Sequence, residues 1–134
     1  MGLTIEFVLC KGVSDLEPIE YEKVQSLLSS YVDQPVYLHV ETTNGAYANH
    51  FDQRVFNAGT FLRNIKVVFE HAKLKGGGKD PFRVGLKLQD NGWVYVQGLT
   101  HYEVNENNEF LLAGFNYEGQ LAAALEISTV PFQI

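Results

Sequence analysis

The chain has 134 residues, enough for one domain with its own core and too few for two of ordinary size. At 46% apolar and 19% charged residues it reads as a folded soluble domain, and a formal net charge of −6 speaks against general nucleic-acid binding, which demands an excess of Lys and Arg. A single cysteine, Cys10, excludes an intramolecular disulfide and a Cys-based zinc cluster, and no run of about 18 apolar residues offers a membrane-spanning helix.

Residues 1–16 read as an N-terminal extension. Leu3 to Cys10 alternate weakly, as a short strand would, with Glu6 inside the run and no basic start of a signal peptide. Cytoplasm is therefore the expected compartment. A helix is predicted over about 18–33. Pro18 suits a first helical position, and Glu17, Glu20 and Glu22 lie where the helix dipole favours negative charge. Tyr21, Val24, Leu28 and Tyr31 recur at spacings of three and four, and Gln34-Pro35 closes the run.

From about 35 to 134 the pattern is that of strands. Val36 to Thr43 alternates strictly, and Asn44-Gly45 predicts a hairpin returning along Ala46 to Phe51. Gly59 to Leu74 favours two strands, or one bent by a bulge near Arg63-Asn64. Gly76-Gly77-Gly78 reads as a mobile surface loop. Phe82 to Gln89, Trp93 to Leu99, His101 to Val104, Glu109 to Phe115 and Leu121 to Ile127 complete the set. The expected fold is mainly β: one N-terminal helix, then an antiparallel meander with sequential pairing, forming a distorted β-sandwich or barrel.

Polarity arbitrates one register. A three-residue loop Asp90-Asn91-Gly92, with Gly92 left-handed, pairs Leu88 with Val94 and Leu86 with Val96. Phe82, Val84, Leu86, Leu88, Val94 and Val96 then share one face, and Arg83, Lys87, Gln89, Trp93, Tyr95 and Gln97 the other.

Charge is unevenly spread. Arg54, Arg63, Lys66, Lys73, Lys75, Lys79, Arg83 and Lys87 carry almost all the positive charge, and no Lys or Arg follows Lys87. Acidic residues accumulate beyond it. Such a dipole favours a symmetric homodimer that pairs the middle of one copy with the acidic end of another, or an anionic ligand.

Two constellations are candidates for function. Arg83 and Lys87 beside Trp93 and Tyr95, with Gly85 between, make a surface able to grip an anionic or planar partner; long basic side chains lying over aromatics are the plainer explanation. Tyr37, His39 and Glu41 share a face of one strand, and Arg63 at the expected bulge offers a two-pronged anion contact. His50 would return towards His39 across the hairpin. A Tyr/His/Glu/Arg cluster serves a small anionic-ligand binder or a hydrolase; a strand histidine satisfied by its neighbours is the plainer alternative. Two histidines and a carboxylate can bind a divalent metal, but the sequence fixes no second carboxylate or third histidine near them, so no metal site is expected. The glycine triplet is not a P-loop, because no Lys-Ser/Thr and no helix follows it. No nucleophile motif or cofactor-binding motif is present, so a non-catalytic domain is expected.

The blocks Gln34 to Tyr47, Leu62 to Lys66, Ala72 to Gly76, Pro81 to Lys87, Gly92 to Tyr95, Gly98 to Thr100 and Pro131-Phe132 occur in an order that resembles the YojF-like family of small Bacillus and Staphylococcus proteins. The resemblance runs from about Ile19 to Ile134 and leaves Met1 to Leu16 ahead of the family's usual start. It implies a distorted β-sandwich with an N-terminal helix and supplies no catalytic residues. It also implies, by association alone, an accessory role in bacillithiol (low-molecular-weight thiol) metabolism, with a partner enzyme of that pathway. Neither nucleic acid nor membrane is an expected partner.

Overall fold

A computed structural model describes residues 16–43 and 58–134, where alternation organises two antiparallel sheets. The short strand β1 (Glu17–Pro18) precedes helix α1 (Tyr21–Ser29). Strands β2 (Val36–Thr43) and β3 (Gly59–Val67) follow, then β4 (Phe69–Gly77), β5 (Asp80–Leu88) and β6 (Trp93–Leu99). Strands β7 (His101–Val104), β8 (Phe110–Phe115) and β9 (Leu121–Ser128) complete the order. One sheet runs β1-β7-β8-β9-β2-β3 and the other β4-β5-β6. The result is an open sandwich; of the two expected architectures, the closed barrel does not form.

The helix is shorter than its sequence pattern. Pro18 lies in β1 opposite His101, so the helix begins beyond it with an extended Glu20 at its N-cap. After Ser29 the chain tightens into turns, Tyr31 N–H to Leu28 O and Val32 N–H to Ser29 O, both 3.2 Å. Asp33 then takes φ 64° and gives its N–H to Phe69 O at 2.8 Å, which ends the helix before Pro35 can. Val24 and Leu28 are wholly buried, worth roughly 1.5–3 kcal/mol each. Gln25 binds the backbone of β4 with both ends of its amide: Nε2–H to Ala72 O at 3.0 Å, and Leu74 N–H to Oε1 at 2.8 Å. The helix thus occupies the open edge of the smaller sheet.

The run from Gly59 to Leu74 divides at Val68 and sends its halves to different sheets. The bulge at Arg63-Asn64 is present. Leu38 pairs with Ile65 and His39 with Arg63, leaving Asn64 as the extra residue at φ 57°. Asn tolerates this left-handed backbone better than branched residues do. Asn91 (φ 67°) and Asn108 (φ 58°) turn their hairpins in the same way.

Two expectations of pairing are corrected. Neighbours in sequence are not always neighbours in space: β9 lies beside β2, with Leu38 opposite Ile127. After β3 the chain spends three strands in the second sheet, then returns at the far side and works inward. Strand β9 is buried on both faces, so it belongs in the middle of the larger sheet. In the β5–β6 hairpin the turn is one residue earlier than expected. Leu88 N–H donates to Gly92 O at 2.8 Å, Asn91 rather than Gly92 is left-handed, and Leu86 pairs with Val94. The register differs by two residues, which leaves both predicted faces intact because strand side chains alternate with period two. The hairpin expected from Asn44-Gly45 lies outside the described residues, as do Cys10 and His50.

The core fills the space between the sheets. Leu38, Phe110, Leu112, Leu125 and Ile127 meet Phe69, Leu74, Val84, Leu86 and Leu99. Leu16, Leu111, Ala113, Leu121 and Ala124 form a second cluster on the opposite face of the larger sheet. No helix among the described residues is long and apolar enough to cross a membrane.

Candidate functional site

Strand register assembles the outer face of β4-β5-β6 into three cross-strand rows. His71, Lys87 and Trp93 are in line, then Lys73, Gly85 and Tyr95, then Lys75, Arg83 and Gln97. The opposite face of the same strands carries Ala72, Leu74, Val84, Leu86 and Val96 in the core, so all nine point outward. Trp93 is 63% exposed and Tyr95 59%. A Cβ on Gly85 would stand 4.0 Å from the Trp93 ring, so the glycine leaves the centre of the face open. Lys87 bonds Glu70 at 2.7 Å, but both are about 40% exposed, and such a pair contributes little to stability. The sequence-predicted residues Arg83, Lys87, Trp93 and Tyr95 are therefore brought together. Lys73, Lys75 and His71, which the sequence reading did not include, extend the face onto a third strand. Their signal was the alternation of Lys73 and Lys75 with the buried Ala72 and Leu74.

The second constellation sits on the other face of β2. His39 has Arg63 opposite it on β3 and Glu126 opposite it on β9. His39 and Glu41 are buried, at 0% and 1% exposure, and Glu126 is nearly so. Arg63 Nη1 lies 3.1 Å from His39 Nδ1, and His39 Nε2 lies 2.9 Å from Glu41 Oε1. A guanidinium can only donate, so Nδ1 accepts and the ring carries its proton on Nε2, which donates to Glu41. Arg63 also donates through Nη2 to Gln133 O at 2.5 Å, and its guanidinium carbon stands 5.2 Å from the centroid of the Phe132 ring. Asn64 fixes the same terminal segment: Nδ2–H to Phe132 O at 3.0 Å, and Phe132 N–H to Oδ1 at 2.7 Å.

Of the four residues in this predicted cluster, Glu41, His39 and Arg63 are linked in one chain. Among the described residues Tyr37 makes no hydrogen bond to them. The imidazole is packed edge-on against Phe61 at 5.0 Å and Phe132 at 6.4 Å between centroids, and both its nitrogens are engaged. A general base needs a lone pair within reach of a substrate proton, and His39 presents none. This arrangement is that of a buried polar row tying β2, β3 and the C-terminal segment together. Glu126 and the Phe132–Gln133 clasp were missed in sequence because they depend on β9 lying beside β2. Among the described residues no group of three or more His, Cys, Asp or Glu is placed to hold a metal ion.

His101 lies elsewhere, at the start of β7. It lies 2.7 Å through Nδ1 from Thr100 Oγ1 and meets Phe115 edge-on. Burial lowers its pKa below the usual 6.5.

Residues 18–132 match the family described as a protein of unknown function (DUF1806). The chain is 44% identical over 119 residues to the uncharacterized protein YojF of Bacillus subtilis (strain 168), covering 89% of this chain and all of that one. It superposes on the crystal structure of Bacillus subtilis YojF with a TM-score of 0.72 at 43% identity, over 89% of this chain and 98% of that one.

Proposed function

The chain belongs to the DUF1806, YojF-like family, and from that premise we propose that it is a non-catalytic cytoplasmic binding domain that docks an acidic partner protein on the open face of β4-β5-β6. One observation carries the reading: two exposed aromatics share one sheet face with four cations. Aromatic side chains supply contact area at small entropic cost, and the surrounding Lys and Arg steer an acidic surface into place. The family resemblance points to an enzyme of low-molecular-weight thiol metabolism as that partner. The rival small-ligand or hydrolase reading has less support, because His39 and Glu41 are sealed from solvent.

The test is capture of partners from native cell extract by the tagged protein and by a Trp93→Ser/Tyr95→Ser variant. The expected result is an acidic protein retained by the wild type, released by raised salt and lost from the variant. Equal capture by both proteins overturns the reading, and so does salt-sensitive retention of nucleic acid in place of protein.

A further inference from the structure

We propose that the cleft at the glycine-rich end of the sandwich binds a small zwitterion with an aromatic or apolar body. The cleft measures about 480 Å³, within the range of small-molecule sites. It opens where the β4–β5 hairpin, the β6–β7 corner and the β8–β9 turn meet. Phe82, Leu99 and Phe115 give it apolar walls, Tyr117 stands exposed at its mouth, and the exposed Lys79 and Asp80 stand at its polar side. Trp93, Tyr95, Arg83 and Lys87 do not line it, so this site is separate from the sheet face above.

The backbone is shaped around this space. Gly76, Gly77 and Gly78 all have positive φ. A Cβ on Gly77 would come within 2.9 Å of the Phe82 ring, so only glycine lets the hairpin lie over that wall. At Gly114 a Cβ would stand 1.5 Å from Gly98 O, which brings the β6–β7 corner into backbone contact with β8 beside the cleft.

The polar groups define the ligand. Among the described residues neither Lys79 nor Asp80 has a salt-bridge partner, although they carry opposite charges at one rim. An anion alone would meet the Asp80 carboxylate, and a cation alone the Lys79 ammonium. A molecule bearing both charges satisfies both, while its apolar part displaces water from the walls. The sequence does not announce this site, because its lining comes from three separate turns.

The experiment is a two-dimensional NMR titration of the full chain with three probes: L-phenylalanine, N-acetyl-L-phenylalanine and phenethylamine. L-Phenylalanine is expected to shift the amides of Gly77, Gly78, Lys79, Leu99 and Tyr117 saturably. The analogues lacking one charge bind about fivefold more weakly, as do Lys79→Ala and Asp80→Ala with L-phenylalanine. Ala122→Trp, which fills the cleft, abolishes the shifts while its spectrum confirms the fold. Trp93→Ser/Tyr95→Ser binds as the wild type does. Absence of shifts in the cleft, equal binding of the three probes, or binding that survives Ala122→Trp overturns the proposal. None of these outcomes bears on partner docking at the sheet face.

Discussion

Arg63 shows how much one side chain can depend on a backbone irregularity. The bulge at Asn64 changes the pairing so that Arg63, not its neighbour, faces His39. The bulge was legible as a pair of polar residues interrupting a β run, and so was the shared face of His39 and Glu41. The bonded chain was not, because its geometry is completed by residues 68 and 70 positions away along the sequence. Removing Arg63 strands buried polar partners and loosens the terminal segment at Gln133, while Asn64 still holds Phe132. Arg63→Ala is therefore expected to lower stability by about 2–4 kcal/mol, read from urea denaturation. His101 gives a pH effect at the same scale. Its folded pKa is lowered, so the unfolded chain binds the proton more readily. Stability is fully present above pH 6.5 and is lost as pH falls through the lower folded value. Thermal melts between pH 7.5 and 5 should show a decline in Tm that is smaller in His101→Gln.

Elements were easier to read than their partners. Alternation located β5 and β6 because each has one face against core and one against water, whereas β8 and β9, apolar on both faces, were legible as runs bounded by the turns at Asn107-Asn108 and Glu118-Gly119. The helix was over-read at both ends, since local signals at Pro18 and Pro35 were overridden by pairing with β7 and by the bond from Asp33 to Phe69. The contact between helix and sheet was not legible at all: Gln25 looks like an ordinary polar residue on an amphipathic helix. Yet its amide replaces the strand that the edge of β4 lacks. Gln25→Ala leaves Ala72 O and Leu74 N to water at a part-buried edge, with an expected loss of about 1–2 kcal/mol. It also uncovers an unpaired edge, so faster aggregation on incubation near Tm should accompany the loss. Light scattering and a chemical melt on the same samples separate the two effects.

At the scale of the whole molecule, the fold sorts the charge that the sequence only segregates. Four cations of the middle segment, Lys73, Lys75, Arg83 and Lys87, become one outer sheet face, while Glu17 and Glu103 meet at the far edge of the larger sheet, around Lys23 and Tyr102. The Tyr102 hydroxyl, followed by the charge of Glu17, raises the pKa of Lys23. The basic face and the acidic edge lie on different sheets. Two copies can bring them together, which favours self-association as a second use of the same face. The attraction acts between exposed groups and is screened by salt, with a Debye length of about 8 Å at 0.15 M. Gel filtration with light scattering should therefore give a dimer at low ionic strength and a monomer near 0.5 M. Lys73→Glu/Lys75→Glu should be monomeric throughout, with unchanged Tm, because both lysines are exposed. A monomer for the wild type at every salt concentration removes self-association and leaves the face to an acidic partner alone.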